Sequence, residues 1–220
     1  MSIMKKLGVG LLLIVTVVVA VGVTYSLLKY RTDTINNSFT SSENISIQLR
    51  EPNWDGYEFD QEYIGIPGSQ KDPADQNLTL GIDKASQYMP GDSIEKNPMI
   101  KNDSQSQDAY VAIKVEFIGT DKQKITKDKF EELYGTLTMS TDFTLIESNE
   151  DYEVYMYNSV LTHGNQTVAL FENVLVNKDI QLVDGKLPSF QINTKGLAVQ
   201  SVHVIETDAK NELIALANSI

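Results

Sequence analysis

The sequence contains no cysteine, and only two of its 220 residues are histidine. The absence of cysteine excludes thiol catalysis, disulfide bridges and cysteine-ligated zinc sites. The two histidines, His163 and His203, are far apart in sequence and no HExxH motif is present. The chain also has no GxSxG motif and no phosphate-binding glycine loop. We therefore predict no catalytic residue, no cofactor and no metal site.

Basic residues are also scarce, with 18 Lys and Arg against 30 Asp and Glu, a formal net charge of −12. So acidic a chain repels the phosphates of nucleic acids and anionic lipid headgroups, which argues against both as partners. The length is sufficient for one well-buried core. With such a core, even a secreted domain can do without disulfides.

The amino terminus carries the one long apolar run of the sequence. Lys5 and Lys6 precede Leu7 to Val23, in which Thr16 is the only polar side chain, and small residues follow. A basic start, an apolar stretch and small residues beyond it are typical of an export signal. We therefore expect residues 1–26 to be a signal peptide and the protein to be secreted.

The cleavage site is predicted from residue size. Thr24 and Ser26 are small enough for the −3 and −1 positions of a signal peptidase site, so Leu27 becomes the first residue of the secreted chain. The alternative is a retained membrane anchor, since the apolar run is near the lower limit of the about 17–25 residues that span a bilayer. If the signal is cleaved, the protein contacts the membrane only as the uncleaved precursor.

The rest of the chain is rich in strand patterns. In residues 27–50, the mature N-terminal segment, Ile45, Ile47 and Leu49 alternate with polar residues and predict a half-buried strand. Residues 109–119 form the clearest strand pattern, with one apolar face (Val111, Ile113, Val115 and Phe117) and the opposite face made of Ala112, Lys114 and Glu116. Several further short strands follow, separated by Gly and Asn turns, so we expect 51–220 to be one all-β sandwich.

Two short helices complete the prediction. Thr126 is placed to cap the first, Ile125 and Phe130 have the spacing of a hydrophobic staple, and Gly135 is placed to end it. The second covers residues 208–217 at the carboxyl terminus. Residues 51–90, rich in Pro and Gly, predict irregular connections.

Three groups of residues have two interpretations each. The acidic residues around Trp54 suit a calcium site or a solvated loop, and we prefer the loop because the EF-hand spacing is missing. The tyrosines suit a ligand-binding stripe or sheet packing, and we prefer packing. The histidines suit a metal or catalytic role or a structural one, and we prefer the structural one, with His163 in a turn and His203 on the polar face of a strand. The acidic residues are Glu51, Asp55, Glu58, Asp60 and Glu62, and the tyrosines are Tyr152, Tyr155 and Tyr157.

Two blocks of sequence resemble a known family, the TasA/camelysin-type proteins exported by Gram-positive bacteria with an alternate signal. The first block is VGVTYSLLKYRTDTINNSFTSSEN, which is similar to the family's signal end and Thr/Asn-rich mature start. The second is MPGDSIEKNPMIKNDSQSQDAYVAIKVEF at 89–117, which is similar to the family's PGD, KNP-type strand and YV-rich strand.

The resemblance implies a jelly-roll-like β-sandwich and signal removal by a SipW-type peptidase. It further implies assembly into extracellular biofilm fibres, in which the mature N-terminal segment is donated as a strand to a neighbouring copy, with Ile45, Ile47 and Leu49 as its buried side chains. The partners would then be further copies of the chain and a matrix or anchoring co-subunit. The alternatives are a secreted camelysin-like metallopeptidase and a monomeric surface binding module.

Overall fold

The structure, a computed structural model, describes three stretches of the chain: residues 29–31 (main chain only), 45–62 and 79–220. The predicted signal, residues 1–26, lies outside them, as do the cleavage residues Thr24, Ser26 and Leu27. Within the described stretches, no helix is long and apolar enough to cross a membrane.

The described residues form mainly short strands with few helices. The strands are β1 (Lys29–Arg31), β2 (Ile47–Arg50), β3 (Ser93–Glu95), β4 (Met99–Asn102), β5 (Ala109–Ile118), β6 (Lys124–Ile125), β7 (Gly135–Leu137), β8 (Phe143–Ser148), β9 (Glu153–Tyr157), β10 (Asn173–Val176) and β11 (Gln191–Gln200). The helices are α1 (Pro52–Asp55), α2 (Gly81–Ala85), α3 (Lys127–Leu133) and α4 (Glu206–Asn218).

The strands make three antiparallel sheets. The large sheet has the order β1-β11-β5-β9-β8, with β6 paired to β5. A second sheet has the order β3-β10-β7, and β2 pairs with β4 in a third. The predicted all-β class is therefore confirmed.

The principal core lies between one face of the large sheet and the two smaller sheets. Val111, Ile113, Val115 and Phe117, the predicted apolar face of β5, are at most 1% exposed and belong to this core. The smaller sheets contribute, among others, Ile100. Two layers of sheet with interdigitating side chains are the arrangement of a sandwich.

Helix α4 covers the opposite face of the large sheet. Leu213 and Leu216 on the helix pack with Ala112, Val154 and Leu197 of the sheet in a second apolar cluster. The predicted terminal helix is thus confirmed, and it is one turn longer than residues 208–217. Both faces of β5 are buried as a result.

Helix α3 begins as predicted but ends differently. The Thr126 side chain accepts a hydrogen bond from the Lys129 N–H at 3.2 Å, which confirms the cap. The helix ends at Leu133, and Gly135 already belongs to β7. A Cβ at Gly135 would lie 2.6 Å from the Leu175 carbonyl oxygen, so glycine is required there by the close approach of β10.

Lys114 lies on the second face of β5, buried beneath α4 with 2% of the residue exposed. Its Nζ donates to the carbonyl oxygens of Ala217 (3.0 Å) and Ile220 (2.8 Å) and lies 3.2 Å from Glu116 Oε1. Carbonyls at the end of a helix lack intrahelical partners, and a cation there also complements the helix dipole. Burial lowers the pKa of the Lys114 amine, and the Glu116 carboxylate opposes that shift.

The substitution Lys114→Met should lower the free energy of unfolding by about 2 kcal/mol, because the carbonyls at the end of α4 lose a charged donor. Urea unfolding followed by circular dichroism measures this difference. Lys124→Met is the matched control, since Lys124 Nζ also contacts Glu116 Oε1 (2.9 Å) but its side chain is 40% exposed. We expect a loss below about 1 kcal/mol there. Equal losses in the two variants would contradict the role given to Lys114.

Candidate functional site

The outer edge of β11 is the longest strand edge that the described residues leave largely uncovered. Strand β11 pairs with β5 along all ten of its residues. On its other side the described residues pair it only with the three residues of β1, which belong to the predicted mature N-terminal segment. The opposed pairs are Lys29 with Val199, Tyr30 with Ala198, and Arg31 with Leu197.

The alternation of the ladder shows which groups of β11 face outward. The Ser201 N–H donates to the Asp108 carbonyl at 2.9 Å, on the β5 side. In an antiparallel pair, successive residues point their N–H and C=O groups to opposite sides. Ala198, Thr194 and Ile192 therefore direct these groups away from β5.

Two of these outward-facing residues have no main-chain partner in the part of the chain that the structure describes: no hydrogen bond there meets the N–H or C=O of Ile192 or Thr194. Thr194 is only 4% exposed.

A cavity of about 820 Å³ adjoins the same part of the edge. Its wall includes the consecutive residues 187–194, together with residues from α1, α2 and β3. The apolar part of the wall includes Trp54, Ile82, Tyr88, Ile94, Leu187 and Phe190. Gly81 allows α2 to approach this closely, because a Cβ there would lie 1.8 Å from the Glu95 carbonyl oxygen of β3.

A charged pair forms the polar part of the cavity wall. Lys96 Nζ lies 2.6 Å from Glu51 Oε2, and the two side chains are 8% and 11% exposed. The Thr194 hydroxyl donates to Glu51 Oε1 at 2.7 Å. The Lys96 amine also lies 4.8 Å from the centre of the Trp54 ring, a cation–π distance. The pair thus fixes α1, the strand β11 and the segment after β3 relative to one another.

Asp55 lies at the same wall and has an unfavourable environment for its charge. Burial raises the pKa of its carboxyl group, and the nearby Glu51 carboxylate adds to this effect. The hydrogen bond from the Tyr57 N–H (3.0 Å) and the charges of Lys96 and Arg50 oppose the shift.

The opposite edge of the large sheet, β8, differs in two respects. The pairing of β8 with β9 shifts register between Leu145 and Glu147. Most of the strand is exposed or half-buried, including Thr144 and the terminal Ser148. Bulges and polar residues are the devices by which sheet edges avoid pairing with other chains. The edge of β11 has no such irregularity in its ladder with β5.

The residues predicted for strand donation lie in the chain's own core. Ile45, Ile47 and Leu49 are 1%, 0% and 7% exposed and belong to the principal cluster. Strand β2 pairs with β4, with Ile47 opposite Asn102 and Leu49 opposite Ile100. The half-buried strand predicted here is present, but all three side chains already have partners within one copy.

The acidic residues around Trp54 do not gather into one site. Glu51 faces the cavity, Asp60 contacts the Lys101 amine, and Glu58 and Glu62 are exposed. Among the described residues, no group of three or more His, Cys, Asp or Glu side chains could hold a metal ion.

The two histidines occupy turns. His163 Nδ1 lies 3.1 Å from Asp108 Oδ1, beside the turn glycine Gly164. The strand predicted to carry His203 ends at Gln200, so that placement was wrong. His203 has a φ of 61°, a turn conformation outside the strand region.

The tyrosines contribute to packing, as we had preferred. Tyr155 and Tyr157 lie at the principal core, and the tilted rings of Tyr157 and Phe143 have centroids 5.2 Å apart. Tyr152 lies in the cluster under α4, where its hydroxyl bonds Asn218. These residues form no ligand-binding stripe.

Sequence reasoning missed the outward-facing edge at Ile192 and Thr194 and the Glu51–Lys96 pair. The one sequence signal that could have pointed to the cavity was the single Trp, Trp54, in an acidic stretch. No known protein family, curated protein or solved structure matches the chain.

The substitution Asp55→Asn should raise the free energy of unfolding, relative to the unmodified chain, more at about pH 7 than at about pH 4. The pKa of this carboxyl group is higher in the folded chain than in the unfolded chain, so its ionisation lowers the stability of the fold as the pH rises between the two pKa values. Asparagine carries no charge and removes that loss of stability. Urea unfolding at the two pH values measures the difference. The same gain at both would show that the charge of Asp55 carries no such cost.

Proposed function

We propose that the chain is an exported structural protein of the TasA/camelysin type, a jelly-roll-like sandwich that polymerises into extracellular matrix or cell-surface fibres. A SipW-type signal peptidase removes residues 1–26 and frees a new amino terminus at Leu27. The fibre is a homopolymer that an anchoring or matrix co-subunit attaches.

The single observation that carries this proposal is the edge of β11. That edge is long and regular, and among the described residues it pairs with β1, which begins at the third residue beyond the predicted cleavage site. A strand edge that pairs with a short segment near a chain terminus suits exchange of that segment between copies, because a second copy offers the same hydrogen bonds. The bulged edge of β8 suits it less.

The burial of β2 sets a boundary for the donated part. Ile45 and Ile47 are almost fully enclosed by their own chain, so they anchor the segment at its carboxyl end. Residues 27–44 precede this anchor, and 13 of them separate β1 from Ile45. We infer that the donated strand comes from 27–44 and that β2 remains in its own copy.

Export then controls the timing of assembly. In the precursor, residues 27–44 continue directly into the apolar signal and cannot reach a neighbour outside the membrane. Cleavage frees the segment only after the chain has been exported, where other copies are present. Polymerisation inside the cell is avoided by the same step.

The mature chain, residues 27–220, should form ordered filaments in negative-stain electron microscopy, and Tyr30→Pro should abolish them. The ladder directs the Tyr30 N–H toward β11, and proline removes that donor. Arg31→Pro is the matched control, since its N–H faces away from β11 and proline is tolerated there at a sheet edge. A strictly monomeric mature chain would refute the proposal, and casein cleavage stopped by chelators would favour the peptidase.

A disulfide between β2 and β4 should leave filament formation intact. Gln48 lies opposite Lys101, a cross-strand distance that a disulfide can span, and the absence of native cysteine makes the pair unambiguous. We expect Gln48→Cys with Lys101→Cys to yield filaments of equal length with and without reductant. Filaments that form only after reduction would mean that β2 itself is exchanged, with Ile45, Ile47 and Leu49 buried in the neighbour.

A further inference from the structure

The buried pair of Lys96 and Glu51 brings a primary amine and a carboxyl group into direct contact at the cavity wall. We propose that these two side chains are a site of covalent modification, an amide bond that forms between Lys96 Nζ and the carboxyl carbon of Glu51 with loss of one water molecule. The bond forms within one folded copy, whether or not copies assemble into filaments.

The contact distance positions the amine for attack. Lys96 Nζ lies 2.6 Å from Glu51 Oε2, and because Oε2 is bonded to the carboxyl carbon, that carbon is at most one bond length farther from the amine. Reacting atoms held about 3–3.5 Å apart replace a bimolecular collision, which can be equivalent to a concentration of about 10⁵–10⁸ M. The fold thus supplies the proximity that two dilute groups in water lack.

Burial favours the reactive forms of both groups. The Lys96 and Glu51 side chains are 8% and 11% exposed, and the centre of the Trp54 ring lies 4.8 Å from the amine. Two charges held away from water are costly, and transfer of one proton from an ammonium to the carboxylate that it touches leaves a neutral amine and a neutral acid. These are the forms that condense, because only a neutral amine has a free electron pair.

The other oxygen of the carboxyl group has a donor of its own. The buried Thr194 hydroxyl donates to Glu51 Oε1 at 2.7 Å. As the Lys96 nitrogen bonds to the carboxyl carbon, negative charge develops on Oε1, where this hydroxyl stabilises it. The bond from the carbon to Oε2 then breaks, and Oε2 leaves as water with the proton of the acid and one proton of the amine. No oxidant, reductant or further reactant is needed.

Two other lysine–glutamate contacts lack this combination of features. Lys84 Nζ also lies 2.6 Å from Glu95 Oε1, but the two side chains are 36% and 39% exposed, so water stabilises both charges. Lys114 is buried, but its amine donates to two main-chain carbonyls and lies 3.2 Å from Glu116, and these acceptors together hold it as an ammonium ion. Among the described residues, a short contact and burial without competing acceptors coincide at Lys96.

The bond gives a chain without cysteine a covalent cross-link. It closes the loop between residues 51 and 96 and joins the start of α1 to the segment after β3. Like a disulfide, such a link restricts the unfolded chain and so favours the folded one. Unlike a disulfide, an amide is not broken by reductants.

Mass spectrometry of the denatured chain tests the bond directly. After incubation at neutral pH, the mature chain, residues 27–220, should weigh one water molecule less than its sequence. Lys96→Arg should have the full mass of its sequence, because arginine keeps the ion pair but its guanidinium stays protonated and is no nucleophile. Lys84→Arg is the matched control and should lose one water molecule, as the unmodified chain does. Circular dichroism checks that both variants fold.

Trypsin digestion of the unmodified chain locates the bond without any variant. Trypsin does not cut after a lysine whose amine is acylated. The expected product is therefore one branched peptide that joins residues 51–71 to residues 85–101, with the chain uncut at Lys96. An ester of Thr194 with the same carboxyl group would instead join 51–71 to residues 187–195.

The remaining outcomes would overturn the proposal. A chain with the full mass of its sequence, cut by trypsin after Lys96, would show that the pair is an ion pair only. A loss of water that persists in Lys96→Arg, or a peptide that contains Thr194 in the link, would place the dehydration elsewhere.

Discussion

The pairing of β5 with β11 is the interaction on which the rest of the structure depends. The two ten-residue strands are matched along their whole length, and this ladder lies between both apolar clusters. Val111 and Ile113 of β5 face the smaller sheets, whereas Ala112 and Leu197 face α4. Since both faces are covered, the ladder hydrogen bonds lie away from water, where their loss is most costly. Every other element is positioned relative to this pair.

The central position of β5 leaves the sheet with two unlike edges. Beyond β5, the order continues through β9 to the irregular β8 on one side, and ends at β11 with only β1 beyond it on the other. One edge is therefore protected by its own geometry and the other by a terminal segment. An interface that joins a segment of one copy to a different surface of the next is heterologous, and such interfaces generate open chains when the rotation does not close. If copies join by strand donation as proposed, the asymmetry of the sheet would favour a filament over a closed dimer.

Local patterns in the sequence predicted the parts of the fold that local forces determine. The alternation in β5 placed Val111 to Phe117 in the core, and the Thr126 cap and the terminal helix follow from contacts within one turn of helix. Lys114 was placed on a polar face, and its burial could not be read from alternation because it depends on α4, about 100 residues later. Likewise, residues 51–90 predicted only connections, since short helices such as α1 have too few residues for a periodic signal.

Sequence patterns could not predict the candidate site either, because its contacts join residues that are far apart in the chain. Glu51 meets Lys96 across 45 positions and Thr194 across 143, so no motif spacing connects them. The outward-facing groups of Thr194 and Ile192 belong to the main chain, which carries no residue-type signal at all. The segment proposed for donation is itself a prediction from the sequence, because the predicted cleavage site lies directly before it.

The charge of the chain explains why assembly would need a specific strand. Without Lys5 and Lys6 of the predicted signal, 16 Lys and Arg remain against 30 Asp and Glu, a formal net charge of −14, so whole copies repel one another and nonspecific association of their surfaces is disfavoured. Residues 27–44 are different, because Lys29 and Arg31 balance Asp33 and Glu43. A neutral strand can approach an acidic neighbour without the repulsion that separates the folded bodies. Its main-chain hydrogen bonds act at short range, where screening by salt matters least. In the proposed assembly, the acidic surface would keep copies apart until the neutral leading segment is free to join them.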